Sequence, residues 1–99
     1  MSLRRLKMSD DLAGLVRTLH PGLKRKIKAA LQAVLSDPFS GKALKDELEG
    51  LQSFKVGKFR VIYKSAKEKG IIEIVAIGPR KTIYEETLRH LRTKGDRPF

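Results

Sequence analysis

Apolar and polar positions alternate along this chain with two different periods, and each change of period marks an element. Residues 3–8 set Leu3, Leu6 and Met8 loosely against Arg4, Arg5 and Lys7, which predicts a short edge strand whose basic side chains face water or a partner. Ser9-Asp10-Asp11 then supplies an N-cap and first-turn acids, and Leu12, Leu15, Val16 and Leu19 recur behind them at helical spacing. His20-Pro21-Gly22 breaks that helix. In the next one Leu23, Ile27, Ala30, Leu31, Val34 and Leu35 form one apolar stripe opposite Lys24, Arg25 and Lys28, until Asp37-Pro38 stops it. Two amphipathic helices joined by a tight turn make a hairpin that must lay its stripe on another layer.

Residues 39–50 read as a loop with Gly41, Gly50 and mixed charges, pinned to the core by Leu44 and Leu48. Strands are predicted at 51–56, 58–64 and 71–77, with Lys67-Glu68-Lys69-Gly70 as the turn between the last two. In the first pair the apolar residues alternate with Lys55, a Gly57-Lys58 break and Arg60, so that one face is buried and the other carries cations. Ile71, Ile72, Ile74, Val75 and Ile77 are nearly continuous, the mark of a strand covered on both faces. After Gly78-Pro79 the period becomes helical, with Ile83, Tyr84, Thr87, Leu88 and Leu91 on one stripe. Residues 1–93 are expected to form a single domain, and 94–99, with Gly95 and Pro98, a disordered tail. The order β-α-α-β-β-β-α predicts an α+β fold: an N-terminal helical hairpin packed on an antiparallel sheet, with a C-terminal helix.

Ninety-nine residues suit one two-layer core, and a formal charge of +11 is too lopsided for an ordinary metabolic enzyme of this size. The excess points to a polyanionic partner, either a phosphate backbone or an acidic protein. No helix joins a continuous basic face to exposed Trp or Phe, and no run approaches the roughly twenty apolar residues of a membrane span. With no apolar leader region either, the expected location is cytoplasmic and no membrane is expected as a partner. The absence of cysteine removes disulfides, thiolate catalysis and Cys-type zinc sites. His20 and His90 stand far apart in sequence and read as solvated, so no metal and no cofactor are expected.

Lys55, Arg60, Arg80 and Tyr84 fall at strand ends and a loop, where a folded sheet gathers them around one anion. A plainer reading stands beside each. Lys55 and Lys58 serve equally as solvated residues of an exposed sheet face, and Arg60 as an ion-pair partner of Glu73 on the neighbouring strand. Tyr63 reads as packing, and Tyr84, on a stripe with Ile83 and Leu88, as core. Lys24, Arg25, Lys26 and Lys28 read as a solvated helix face or as a contact with a phosphate backbone.

Several pieces then occur in a fixed order: the helical hairpin, Leu48-Glu49-Gly50-Leu51, the run from Lys55-Val56-Gly57-Lys58-Phe59 to Arg60-Val61-Ile62-Tyr63, Ile77-Gly78-Pro79-Arg80, and Ile83-Tyr84. In this the chain resembles the RelE/ParE superfamily of toxins from toxin–antitoxin modules, over about residues 9–91. The resemblance implies a compact sheet with a concave basic face. RelE-type members are ribosome-dependent, metal-independent endoribonucleases that cut mRNA in the ribosomal A site. The ribose 2′-hydroxyl attacks the adjacent phosphate and leaves a 2′,3′-cyclic phosphate and a 5′-hydroxyl. ParE-type members share the fold but poison DNA gyrase. Both types are neutralised by a small antitoxin protein.

Such cleavage needs a base, an acid and cations for the charge building on phosphorus. With no histidine expected in the site, lysine and tyrosine must serve, and clustered positive charge helps both to act. Matched to the family motif, Arg60 and Arg80 are implied to hold the phosphate, with Lys55 as proton-transfer group or charge stabiliser. Tyr84 is implied as stacker or base, and Lys58, Lys81, Lys24 and Lys28 as RNA contacts. This chain departs from the family pattern at Ser53 and Pro79, where many nuclease members carry a basic residue or, at the second, a histidine. The expected consequence is either slower catalysis or an acid role moved to Lys58 or Lys81. The alternatives are a gyrase inhibitor without nuclease activity and a non-catalytic basic protein that binds RNA or the ribosome.

Overall fold

The structure, a computed structural model, describes residues 4–66 and 70–94. Helix α1 (Asp10–Thr18) starts where Ser9 accepts a hydrogen bond from the Leu12 N–H at 3.1 Å, with Asp10 and Asp11 in its first turn. Helix α2 (Pro21–Ser36) begins one residue after His20, whose Nδ1 accepts from the Gly22 N–H at 3.2 Å. Pro21 and Gly22 therefore open the second helix rather than separating the two. Proline suits a first helical position because no intrahelical partner exists there for an N–H. Arg4 closes the other end of α2 by donating to the carbonyls of Leu35 and Ser36.

Five strands follow from the remaining pattern: β1 (Arg5–Lys7), β2 (Lys42–Ala43), β3 (Gln52–Val56), β4 (Phe59–Ser65) and β5 (Ile71–Pro79), with a single 3-10 turn at Asp46–Leu48 and helix α3 (Arg80–Lys94) at the end. Their order across the sheet is β1-β5-β4-β3-β2. The α+β class, the helical hairpin and the C-terminal helix are as the sequence predicts. The sheet is mixed rather than wholly antiparallel, because β1 runs parallel to β5. A three-residue edge strand carries the same side-chain alternation in either direction, so its orientation is not written in its pattern. The two-residue β2 inside the expected 39–50 loop is likewise too short for any period. The turn residues 67–69 and the tail residues 95–99 lie outside the described residues, while Lys94 ends α3.

Apolar clusters cover both faces of the sheet. On one, Val16, Ile27, Ala30, Leu31 and Val34 of the helical hairpin pack against Val61, Tyr63, Ile72, Ile74 and Ile77. On the other, Ile83 of α3 meets Leu51 and Ile62, flanked by Leu44, Leu48, Val75, Ala76, Tyr84 and Leu91. Strict alternation would send Ile74 and Ile77 to opposite faces. The register explains why it does not: Tyr63 pairs with Ile74 and Ile62 with Ala76, leaving Val75 as an extra residue. That bulge shifts the alternation by one residue, which returns Ile77 to the layer of Ile72 and Ile74 and leaves both Val75 and Ala76 to the other.

Glycine is needed at two places near the end of the sheet. The β3–β4 hairpin has a two-residue connection, and Gly57 adopts φ 58, as the first position of a II′-type turn requires. At Gly78 the constraint is space: a Cβ there would lie 2.9 Å from Cδ1 of Ile83, so α3 folds back on the sheet over a bare backbone. Tyr63 makes a third close seam. It is fully buried, donates to the Pro38 carbonyl at 2.8 Å and accepts the Gly41 N–H at 2.9 Å. Burial pushes its phenol above the ordinary tyrosine range and the Asp37 carboxylate adds to this, against the lowering effect of polar contacts with Gly41 and Ser40.

Gly78→Ala is expected to destabilise the protein by about 1–3 kcal/mol in a denaturant titration, because the buried Ile83 side chain has little room to retreat. Tyr63→Phe, which keeps the ring and loses both hydrogen bonds, is expected to cost about 1–3 kcal/mol near neutral pH. The raised phenol pKa fixes the sign of its pH dependence. Stability from the protonated phenol is fully present below the unfolded tyrosine value of about 10 and is lost as pH rises towards the folded value. The gap between wild type and Tyr63→Phe should therefore stay constant from about pH 6 to 9 and narrow above 10.

Candidate functional site

Lys55 and Arg60 are direct cross-strand partners on β3 and β4, so their side chains leave the same face of the sheet at its hairpin end. On the other side of Arg60 the partner on β5 is Gly78, which has no side chain to contest the space. Glycine thus clears both the path of α3 and the ground beside the guanidinium. Arg60 Nη1 donates to the carbonyls of Gly57 at 3.0 Å and Phe59 at 2.8 Å, which ties the group to the hairpin. The expected ion pair with Glu73 does not form. Register sets Lys64 opposite Glu73, and that pair approaches to 3.9 Å.

Helix α3 brings the remaining groups. The Arg80 N–H donates to the Lys58 carbonyl at 2.8 Å, stapling the helix start to the hairpin. Tyr84, about one turn further, lies over the sheet with its hydroxyl 3.1 Å from that of Ser53. Ser53 is buried and points to the same face as Lys55, two residues on. The first turn of α3 contains no acid and carries Arg80 and Lys81 instead. Cations at the positive end of a helix are unfavourable unless an anion joins them.

Lys55, Arg60, Arg80 and Tyr84 line one cavity of about 560 Å³ together with Ser40, Lys42, Leu44 and Ser53. A second recess of about 770 Å³ shares Lys55, Arg60 and Arg80 with it and adds Gly57, Lys58, Pro79 and Lys81. The two are lined by six different cations and no carboxylate. The ion pairs Lys64–Glu73 and Arg92–Glu47 involve none of these six. A phosphate-bearing ligand meets in this place a concentrated set of N–H donors with one phenol and one buried hydroxyl beside them.

Lys24 and Lys28 are not part of this assembly. They sit on α2, whose apolar stripe packs on the opposite face of the sheet, and they line neither recess. His20 caps a helix, and His90 borders a separate hollow with Ser9, Lys64 and Glu73. Ser40, Lys42 and Leu44 belong to the site without a signal in the sequence, since a two-residue strand has no legible period. Ser53 stands out in the sequence only as a departure from a basic position, yet its hydroxyl is the one in contact with Tyr84.

Solved structures share this architecture. A mutant of the E. coli toxin RelE in the free state is similar with a TM-score of 0.72 at 17% identity, over 96% of this chain and 99% of that one. The RelBE2 toxin–antitoxin complex from Mycobacterium tuberculosis gives 0.66 at 21% identity, over 79% and 99% of the two chains. The YoeB/ParE toxin from Agrobacterium tumefaciens gives 0.64 at 20%, over 77% and 98%. At such identities the likeness concerns the fold. No curated protein matches the sequence. The family model described as ParE toxin of type II toxin–antitoxin system, parDE, matches residues 5–84. With most of its length matched, this chain belongs to that family of toxins, within the RelE/ParE superfamily.

Proposed function

We propose that this toxin is a ribosome-dependent, metal-independent mRNA endonuclease that stops translation. The observation that carries this reading is the convergence of Lys55, Arg60, Arg80 and Tyr84 on one cavity free of carboxylates. Arg60 and Arg80 donate to the non-bridging oxygens of the scissile phosphate and stabilise the charge that builds there. The ribose 2′-oxygen bonds to the adjacent phosphorus as the bond to the 5′-oxygen breaks. The 2′-proton leaves to a base and the departing 5′-oxygen takes up a proton, giving a 2′,3′-cyclic phosphate and a 5′-hydroxyl. Lys55 serves as proton-transfer group or charge stabiliser, and Tyr84 as stacker or base. Ser53, 3.1 Å from the Tyr84 hydroxyl, fixes the orientation of that phenol in place of the cation found there in many nuclease members.

Lys58 and Lys81, in the adjoining recess, hold flanking RNA, and Lys24 and Lys28 on the far face contact ribosomal RNA. A ribosome-dependent nuclease acts in the cytoplasm. The protein partner is a cognate antitoxin, whose acidic segment covers the cationic cavity and neutralises it by charge and by bulk. One observation favours a second reading. The family model that matches is that of ParE toxins, so inhibition of DNA gyrase without RNA cleavage is the alternative.

On the nuclease reading, induction without antitoxin yields codon-positioned cuts, seen by mapping RNA ends, in translated messages only. The cut fragments carry 2′,3′-cyclic phosphate and 5′-hydroxyl ends, the products of 2′-oxygen attack; 3′-hydroxyl and 5′-phosphate ends would point to water activated in another way. Intact messages together with inhibited supercoiling by gyrase would overturn it in favour of the second reading. Tyr84→Ala is expected to lower single-turnover cleavage by about 100-fold or more. Tyr84→Phe should do the same where the phenol is the base and retain activity where the ring only stacks, while a gyrase inhibitor would lose little from either. Arg60→Ala or Arg80→Ala should each reduce the same rate by about 100- to 1,000-fold.

A further inference from the structure

Tyr63 is fully buried, and the chemistry proposed above makes no use of it. Its hydroxyl holds Pro38 on one side and Gly41 on the other. The next residue, Lys42, opens β2 and stands opposite Ser53, the residue whose hydroxyl meets Tyr84. Lys42 lines the same cavity as Lys55, Arg60, Arg80 and Tyr84, and neither ion pair given above includes it. Strand β2 has two residues, too few backbone bonds to hold its own place. The seat is tight: a Cβ at Gly41 would lie 2.5 Å from the Tyr63 hydroxyl oxygen and 3.0 Å from the Ser53 carbonyl oxygen. The chain just before Lys42 is thus clamped between a buried phenol and the edge of β3.

We propose that Lys42 is a further RNA-phosphate contact of this site and that the buried Tyr63 hydroxyl is the positioning group that holds it there. The inference rests on the RNA reading above and extends the site to the edge of the sheet. Strand order places the groups in succession: Arg80 follows β5, Arg60 is on β4, Lys55 and Ser53 are on β3, and Lys42 is on β2. Three strand spacings amount to about 14 Å, wider than a single phosphate. Arg60 and Arg80 therefore take the scissile phosphate, and Lys42 takes a neighbouring phosphodiester of the same single strand. A tyrosine of ordinary pKa, about 10, is protonated across the neutral range and burial pushes Tyr63 further up, so its donor to Pro38 persists there.

The test is binding of a single-stranded RNA hexanucleotide, 2′-O-methylated so that it cannot be cleaved, followed by fluorescence anisotropy across a salt series. Lys42→Ala should weaken binding about tenfold at low salt and lower the slope of log K against log salt by about 0.7, the loss of one phosphate contact. Tyr63→Phe should weaken it roughly three- to tenfold with circular dichroism unchanged. In the Lys42→Ala background Tyr63→Phe should add nothing to the RNA effect while still lowering the melting temperature, which a merely structural role would not produce. Should Tyr63→Phe not fold, Gly41→Ala displaces the same loop from the phenol and should reproduce the binding loss.

An unchanged slope in Lys42→Ala, or an equal loss in the exposed Arg17→Ala control on α1, overturns the proposal. So does a Tyr63→Phe effect that persists undiminished without Lys42. The cleavage assay separates this from the nuclease reading: uncut messages with the Lys42 slope change present sink cleavage alone and support the contact. Wild-type protein that fails to bind the oligonucleotide overturns the contact alone, and the mapped RNA ends still decide the nuclease reading.

Discussion

Like charges repel, and this protein holds six cations around two adjoining recesses without a carboxylate among them. Two unit charges 4 Å apart repel by about 1 kcal/mol in bulk water and by more near a protein surface. The carbonyls of Gly57 and Phe59 hold the Arg60 guanidinium in place, but no carboxylate lines the recesses to offset the charge of the six. The arrangement is sustained from below by apolar packing on both faces of the sheet, which fixes the strands whatever their exposed ends carry. A polyanion entering the recesses replaces repulsion with attraction, so the binding energy is latent in the way the fold is assembled.

The framework succeeds because its seams are close. The bulge at Val75 keeps Ile77 on the same layer as Ile72 and Ile74. Gly78 lets α3 lie directly on the sheet, carrying Arg80 and Tyr84 over Lys55, Arg60 and Ser53. Tyr63 draws the loop after α2 against β3 from within the opposite layer. At Gly78 and at Tyr63 backbone meets side chain with no spare room, and each of these two seams lies within two residues of a cavity residue, Arg80 and Lys42. Packing and site are therefore one problem there.

How much of this was legible depends on periodicity. Helices α1 and α2 and strands β3, β4 and β5 declare themselves because their apolar residues repeat over several turns or pleats, and Lys55, Arg60, Arg80 and Tyr84 gain their positions from that repetition. What stays hidden is decided by pairing across distance. Two residues of β2 show no period, so Lys42 looks like any loop lysine until Ser53 is seen opposite it. The direction of β1 depends on which neighbour it finds, and the capping role of His20 on a ring orientation. Ser53 is the clearest case: the family resemblance marks it only as a departure from a basic position, whereas the fold turns it into the partner of a phenol.

The parallel edge has a temporal consequence. Arg5, Leu6 and Lys7 find their places only beside Ile71, Ile72 and Glu73, which emerge from the ribosome after most of the chain. Helix α3 emerges later still, bringing Arg80 and Tyr84 with it. A nascent chain consequently lacks the β1–β5 ladder, Arg80 and Tyr84 until residues 71–84 have emerged, so the cationic cavity closes only after the rest of its sheet exists.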